Sequence, residues 1–328
     1  MTSTTPAAIR GPFLVLGRAG MDFYAEPAGT PLEKAATFQA CLGGSSGNIA
    51  VGLARLGCDV SLLSVVSDDA VGQFTLNALA KEGVGSACCR VMDGEVRTTL
   101  AVVDTCGDAT QAVIYRNNVA DFQLCLADIE AVDFQAFGTL VVTGTALASN
   151  PSRDAAFLAL EKADAAGLGR VLDVDYRPYS WDSPQDASEL AIAAAEACNL
   201  VVGNDLEFAV MAGGGAAEGL ELARKLGRGG RMLIYKMGAK GSIALADGLN
   251  EKSGIYNVAA LKPTGAGDSF LSAYLAARAS GQGHAIAQLH GSASAAIVVG
   301  RVGCSAAMPY PQELSEFIAT NPAPVSGR

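Results

Sequence analysis

The chain has 328 residues, half of them hydrophobic, and 23 Lys plus Arg against 33 Asp plus Glu give it a net charge of −10. That balance argues against a surface built to grip nucleic-acid phosphates, so an anionic ligand must be held by a local site. The start, MTSTTPAAIR, lacks the apolar core of a signal peptide and no apolar run reaches membrane-spanning length, so a soluble cytoplasmic protein without nucleic-acid or membrane partners is expected.

In chain order, FLVLG (13–17) is the first of several short apolar runs rich in β-branched residues. It is followed by SLLSVV (61–66), TLVVTG (139–144), RVLDVD (170–175), NLVVGN (199–204) and RMLIYK (231–236). Ala-rich stretches of helical pattern lie between several of them, at 48–56, 69–82, 151–166 and 185–197. This alternation predicts an α/β fold with a doubly wound, mostly parallel sheet. Residues 18–42 and 95–117 break the rhythm; in the second, TTLAVVD and QAVIYR flank CGDAT like the arms of a hairpin. Both read as β insertions, either pairing into a small flap over the strand ends or extending a sheet edge. The eight cysteines are scattered with no C-x-x-C, which signals neither a zinc site nor a disulfide framework. Only His284 and His290 could supply imidazole.

Two glycine-rich stretches carry the chemistry. In GGSSGNIAVGLARLG (43–57), Gly43, Gly44 and Gly47 open a helix, and Asn48 at its start can offer an amide to a hydroxylated ligand. The same stretch fits G-x-S-x-G around Ser45, the nucleophile elbow of an acyl hydrolase, but no histidine precedes residue 284 to form an HGGG-type oxyanion motif. LKPTGAGDSF (261–270) is neither a P-loop nor a dinucleotide fingerprint. Gly265, Ala266 and Gly267 nevertheless leave their N–H groups unobstructed at the electropositive start of a helix, where an anion should sit. Asp268 then either caps the helix or serves as a general base toward a hydroxyl attacking phosphorus. The helix end would keep such a carboxylate ionised and weakly basic, which the loose transition state of phosphoryl transfer tolerates.

With these two motifs at this separation, and with likeness running from LGRAGMD to RVGCSAAMP, the chain resembles the ribokinase family, the PfkB carbohydrate kinases. The resemblance implies one Rossmann-like catalytic domain over residues 1–328, with a β lid made of the two insertions. It implies ATP and Mg²⁺ as cofactors and a small-molecule sugar as acceptor. Gly265, Ala266 and Gly267 would form the anion hole and Asp268 the base, while Asp22, Gly43, Gly44 and Asn48 would hold sugar hydroxyls. Asn204 and Glu207, in GNDLEF, match the N-x-x-E element that organises magnesium, through water. Lys236, Gly238 and Gly241, in YKMGAKGS, fit the nucleotide side, and Ser292 stands where ribokinase has an asparagine close to the adenine. Arg116 and Arg177 are forks suited to a carboxylate or a phosphate, which suggests an acidic sugar. Lys262 occupies the place of an aspartate that helps some relatives bind a monovalent cation, so little dependence on potassium is expected. Open lid edges allow two copies to pair into a homodimer. A non-catalytic sensor on the same scaffold would be marked by loss of the aspartate or of the anion-hole glycines, and both are present.

Overall fold

All four side chains of β1 (Phe13–Leu16) are fully buried, Phe13 and Val15 in one core and Leu14 and Leu16 in another. A strand covered on both faces requires this, because its side chains alternate while neither side meets water. A computed structural model of the chain describes residues 8–322 and 324; the polar start at 1–7 lies outside the described residues. The further strands are β2 (Gly20–Glu26), β3 (Thr37–Gly43), β4 (Val60–Ser67), β5 (Cys89–Met92), β6 (Leu100–Val103), β7 (Ala112–Tyr115), β8 (Thr139–Thr143), β9 (Gly169–Asp173), β10 (Leu200–Asn204), β11 (Met232–Lys236), β12 (Ser242–Ala246) and β13 (Leu249–Ser253). The helices are α1 (Ser45–Arg55), α2 (Ala70–Lys81), α3 (Leu126–Glu130), α4 (Ser152–Ala165), α5 (Pro184–Glu196), α6 (Asp205–Met211), α7 (Ala216–Leu226), α8 (Ala266–Ala279), α9 (His284–Val299) and α10 (Pro311–Thr320).

Nine strands form the main sheet in the order β13-β12-β11-β10-β9-β8-β1-β4-β5. It is parallel from β5 to β11, and β12 and β13 close one edge antiparallel. All six strands expected from the apolar runs belong to it. The edge strands β5 and β13, and β12 between β13 and β11, were not expected: CRVM and LNEKS carry no sustained apolar run, and SIALA is partly alanine rather than β-branched. From β1 the chain runs out to β4 and β5, then returns to pair β8 on the other side of β1. Such a reversal opens a crevice at the carboxyl ends of the strands, where α/β sheets bind ligands. The turn after β1, the loop after β9, and the last residues of β10 and β11 all deliver polar groups to this end.

The two insertions form one four-stranded sheet, β3-β2-β6-β7, with β2 and β6 parallel and the outer pairs antiparallel. This is the expected lid. Its hairpin tip is fastened to the rest of the molecule: the Gly107 amide donates to the Leu261 carbonyl at 3.1 Å, on the loop that leads into α8. Phe38 on β3 and Val113 and Tyr115 on β7 remain exposed. Among the described residues no helix is long and apolar enough to cross a membrane.

Candidate active site

Close approach explains both glycines at the end of β3. A Cβ on Gly43 would fall 2.0 Å from Oδ1 of Asp22, and one on Gly44, whose φ is +90°, would fall 2.5 Å from the Arg18 carbonyl oxygen. The amide of Gly47 then donates to that same carbonyl at 3.1 Å, locking the turn after β1 against the start of α1. Asp22 is thereby buried, and burial pushes its carboxyl up to about 6 although Arg18 and Lys262 pull it down.

Gly265 caps α8 from the left-handed region, with φ +83°, and no side chain bonds the helix start. Asp268 sits in the first turn rather than at the cap, so the capping role considered for it does not apply. Its Oδ2 instead accepts from Nδ2 of Asn48 at 2.7 Å, joining the two glycine-rich stretches across 220 residues of sequence. The Asn48 Oδ1 is buried without a partner, which leaves an acceptor free for a ligand hydroxyl. The amides of Ala266 and Gly267 lie in the first helical turn, where no intrahelical partner exists. A Cβ at Gly267 would lie 3.2 Å from the Lys236 ammonium, so backbone donors and a cation converge on one point.

The basicity of Asp268 differs from the expectation, although the carboxyl remains largely ionised near neutral pH. Burial, with Asp175 beside it, raises the carboxyl to about 6, and the opposing pull of Asn48, Arg177 and Lys236 does not offset that rise. The helix start is a partial charge, whereas the surrounding protein removes most of the water that would stabilise the anion, and desolvation wins. The outcome is a better base than the sequence suggested.

Around Asp268 lie three more acidic side chains, Asp173, Asp175 and Glu207, with Lys236 and Arg177 among them. Lys236 Nζ is 3.9 Å from Asp173 Oδ1, and Arg177 Nη2 is 2.7 Å from Asp175 Oδ1. Burial, with the neighbouring carboxyls, raises Asp173 and Glu207, and a divalent cation among these four acidic groups would favour their ionised forms. Asn204 and Glu207 hold each other in a capping box: Glu207 N donates to Asn204 Oδ1 at 2.9 Å, and Asn204 N to Glu207 Oε2 at 2.6 Å. No three acidic, His or Cys side chains among the described residues are grouped to hold a metal ion directly. The acidic grouping fits a magnesium ion held largely through water and ligand phosphates.

Asp175 has φ +39°, an uncommon conformation for a side-chain-bearing residue, and its Oδ2 is buried without a partner. Gly238 and Gly241 bend the turn after β11, and a Cβ on Gly241 would strike the Ser253 carbonyl at 1.9 Å. Ser292 spends its hydroxyl proton on the Gly254 carbonyl at 3.1 Å. Lys262, fully buried, donates from Nζ to the Thr264 carbonyl at 2.6 Å, immediately before the anion-hole turn. Arg116 pairs with Asp121, stacks over Phe122 at 4.0 Å and donates to Ser180 Oγ at 3.2 Å. Ser45 has no histidine partner: His284 is bonded to Tyr274, and burial pushes it down to about 4. The geometry gives the hydrolase no triad.

The sequence profile of the pfkB family carbohydrate kinases matches residues 13–311. The chain belongs to the PfkB carbohydrate kinase family. As a PfkB kinase it is an ATP-dependent sugar kinase. It is 36% identical over 312 residues to the 5-dehydro-2-deoxygluconokinase of Photobacterium profundum, covering 94% of each chain. It is 37% identical over 310 residues to the enzyme of that name from Clostridium tetani, covering 92% of this chain and 91% of the relative. Solved PfkB structures share the fold. A Vibrio cholerae fructokinase double mutant with fructose, ADP and potassium bound superimposes with a TM-score of 0.82 at 24% identity, over 95% of this chain and 99% of the other. The Salmonella enterica aminoimidazole riboside kinase, complexed with aminoimidazole riboside and an ATP analog, gives 0.81 at 22%, over 94% and 99%.

Sequence reasoning singled out most of the polar groups gathered here but passed over Arg18 and Asp173. Asp173 ends a fully buried run and reads as part of a strand. Arg18 is one arginine after a strand, a setting usually at the surface; its place between two glycines and four residues before Asp22 was the available signal.

Proposed function

We propose that this PfkB kinase phosphorylates the primary hydroxyl of 5-dehydro-2-deoxygluconate, a sugar acid of inositol catabolism. The observation that carries this reading is the likeness to kinases of that name over nearly the whole of both chains. Asp22, the Gly43-Gly44 turn and Asn48 hold the sugar beside the Asp268 carboxylate, and cationic side chains attract its acid group. Asp268 takes the proton of the acceptor hydroxyl as that oxygen bonds to the γ-phosphorus and the bond to the bridging oxygen of ADP breaks. The amides of Gly265, Ala266 and Gly267 and the Lys236 ammonium receive the charge of the moving phosphoryl group. A bound Mg²⁺, held through water by Asn204 and Glu207, would offset phosphate charge. Gly238, Gly241 and Ser292 border the nucleotide. Closure of the lid excludes water, which would otherwise compete as acceptor.

ATP consumption measured with 5-dehydro-2-deoxygluconate, 2-dehydro-3-deoxygluconate, fructose and ribose tests the substrate. The first should have the highest kcat/KM; highest efficiency with 2-dehydro-3-deoxygluconate, the nearest rival, or with a neutral sugar would refute the proposal. In the same assay, exchanging potassium for tetramethylammonium should leave the rate unchanged, because the Lys262 ammonium already fastens the Thr264 carbonyl. A strong potassium activation would contradict that role. Two copies are further proposed to pair through the lid, covering Phe38, Val113 and Tyr115. Sedimentation should then give a dimer, and a monomer at micromolar concentration would rule it out.

A further inference from the structure

The arginines that the sequence nominated for a carboxylate are already engaged within the chain. Arg116 is bound by Asp121, Ser180 and the Phe122 ring, and Arg177 by Asp175 and the Tyr176 carbonyl. Arg153, beside Arg116 in the cleft of about 420 Å³ on the lid side, is likewise committed, to the carbonyls of Leu147 and Ala148. Arg18 differs from all of them. It is only 6% exposed, yet among the described residues its side chain makes no hydrogen bond and no ion pair; its Nε, like that of Arg116, is buried without a partner.

A guanidinium removed from water with no anion opposite is an expensive arrangement, which natural proteins hold where a ligand completes it. The backbone around Arg18 is built for this position. Its carbonyl is clasped by the Gly47 amide, and the approach of Gly44 to that carbonyl leaves no space for a side chain. The charge of Arg18 is felt by Asp22 on one side and by Tyr179, at the rim of the lid-side cleft, on the other. Arg18 therefore stands on the sugar side of the crevice, in the turn between β1 and β2, whereas the nucleotide residues come from β11 onward.

We propose that Arg18 receives the substrate's carboxylate and sets the preference of this kinase for a sugar acid over a neutral sugar. Its planar fork pairs two donors with the two carboxylate oxygens, while Asp22 takes hydroxyls farther along the sugar. Asp121 and Asp175 neutralise Arg116 and Arg177, and Arg153 is spent on carbonyls, so these shape the wall of the site, and among these arginines Arg18 is the one whose fork is left without a hydrogen bond among the described residues. The inference rests on the sugar-acid reading above.

Steady-state kinetics of wild type, Arg18→Gln, Arg18→Lys and Arg177→Gln with 5-dehydro-2-deoxygluconate and with fructose test both. Wild type should favour the acid. Arg18→Gln should lower kcat/KM for the acid by about 100-fold or more, mainly through KM, as when one partner of a buried ion pair is removed. It should leave the KM for ATP and the thermal midpoint close to wild type, since no protein group loses a hydrogen-bond partner, and should slow fructose far less than the acid, through the loss of one positive charge near Asp22 alone. Arg18→Lys, which keeps the charge but not the fork, should fall between. A wild type that favours fructose overturns the sugar-acid reading and this inference with it. An acid-preferring wild type overturns the inference alone if Arg18→Gln slows both sugars equally, raises the KM for ATP, or unfolds early, or if Arg177→Gln abolishes the preference instead.

Discussion

Asp268→Asn is expected to lower kcat by about 10²–10⁴-fold, the range for loss of a positioned general base, while the KM for ATP changes little. The substitution keeps the shape of the side chain and removes its capacity to take a proton. Because Asp268 is held by Asn48 and does not cap α8, the helix start should persist in the variant, and a thermal midpoint near that of wild type would verify this. The pH dependence follows from the raised carboxyl. Protonation below pH about 6 removes the base, so kcat/KM of wild type should fall as pH drops through that value and level off above it. Asp22 is raised to a similar value and steepens the fall if it too must be ionised to hold the sugar. The residual activity of Asp268→Asn should lose the part of this limb that belongs to Asp268. Near wild-type turnover in the variant would remove the proposed base.

Gly265→Ala should cost about 10²–10³-fold in kcat, the scale on which a single oxyanion donor acts. Two effects combine. At φ +83° an alanine is strained by about 1–2 kcal/mol. Its Cβ would also lie 2.8 Å from the Cys304 sulfur and 3.0 Å from the Cys304 Cβ, both buried, so the turn itself must shift. The amides of Ala266 and Gly267 move with it, and electrostatic stabilisation is sensitive to displacements of that size. Gly281→Ala is the matched control, with φ +85° and open space around the new Cβ. It should bear the backbone strain alone and leave kcat unchanged. Equal kinetics for the two variants would mean that the 265–267 turn does not bind the transferring group.

Much of this was legible in the sequence because it rests on local patterns. Buried parallel strands such as FLVL need uninterrupted apolar residues, and the bare amides of Gly265, Ala266 and Gly267 need small ones, so both leave direct marks. The lid was visible as two breaks in the α/β rhythm, although the parallel pairing of β2 with β6 was not, since it joins segments far apart in the chain. What escaped depends on burial set by distant segments. Arg18 becomes a buried, unpartnered cation only once the turn of Gly43 and Gly44 packs on it, and no local pattern tells this from a surface arginine. The basicity of Asp268 was misjudged for the same reason. The helix start is apparent in the sequence, while the burial that outweighs it, and the charge of Asp175 that adds to it, depend on distant segments closing over the site. Arg116 and Arg177 look available in sequence because their partners, Asp121 and Asp175, carry no mark of being so employed.

The structure of a ternary complex with a non-transferable ATP analogue and 5-dehydro-2-deoxygluconate tests the central claim most directly. It should place the acceptor oxygen about 2.6–3.2 Å from the Asp268 carboxylate, with γ-phosphoryl oxygens on the amides of Ala266 and Gly267. An acceptor hydroxyl out of reach of Asp268, with that side chain still occupied by Asn48 alone and the phosphoryl group bound elsewhere, would contradict it.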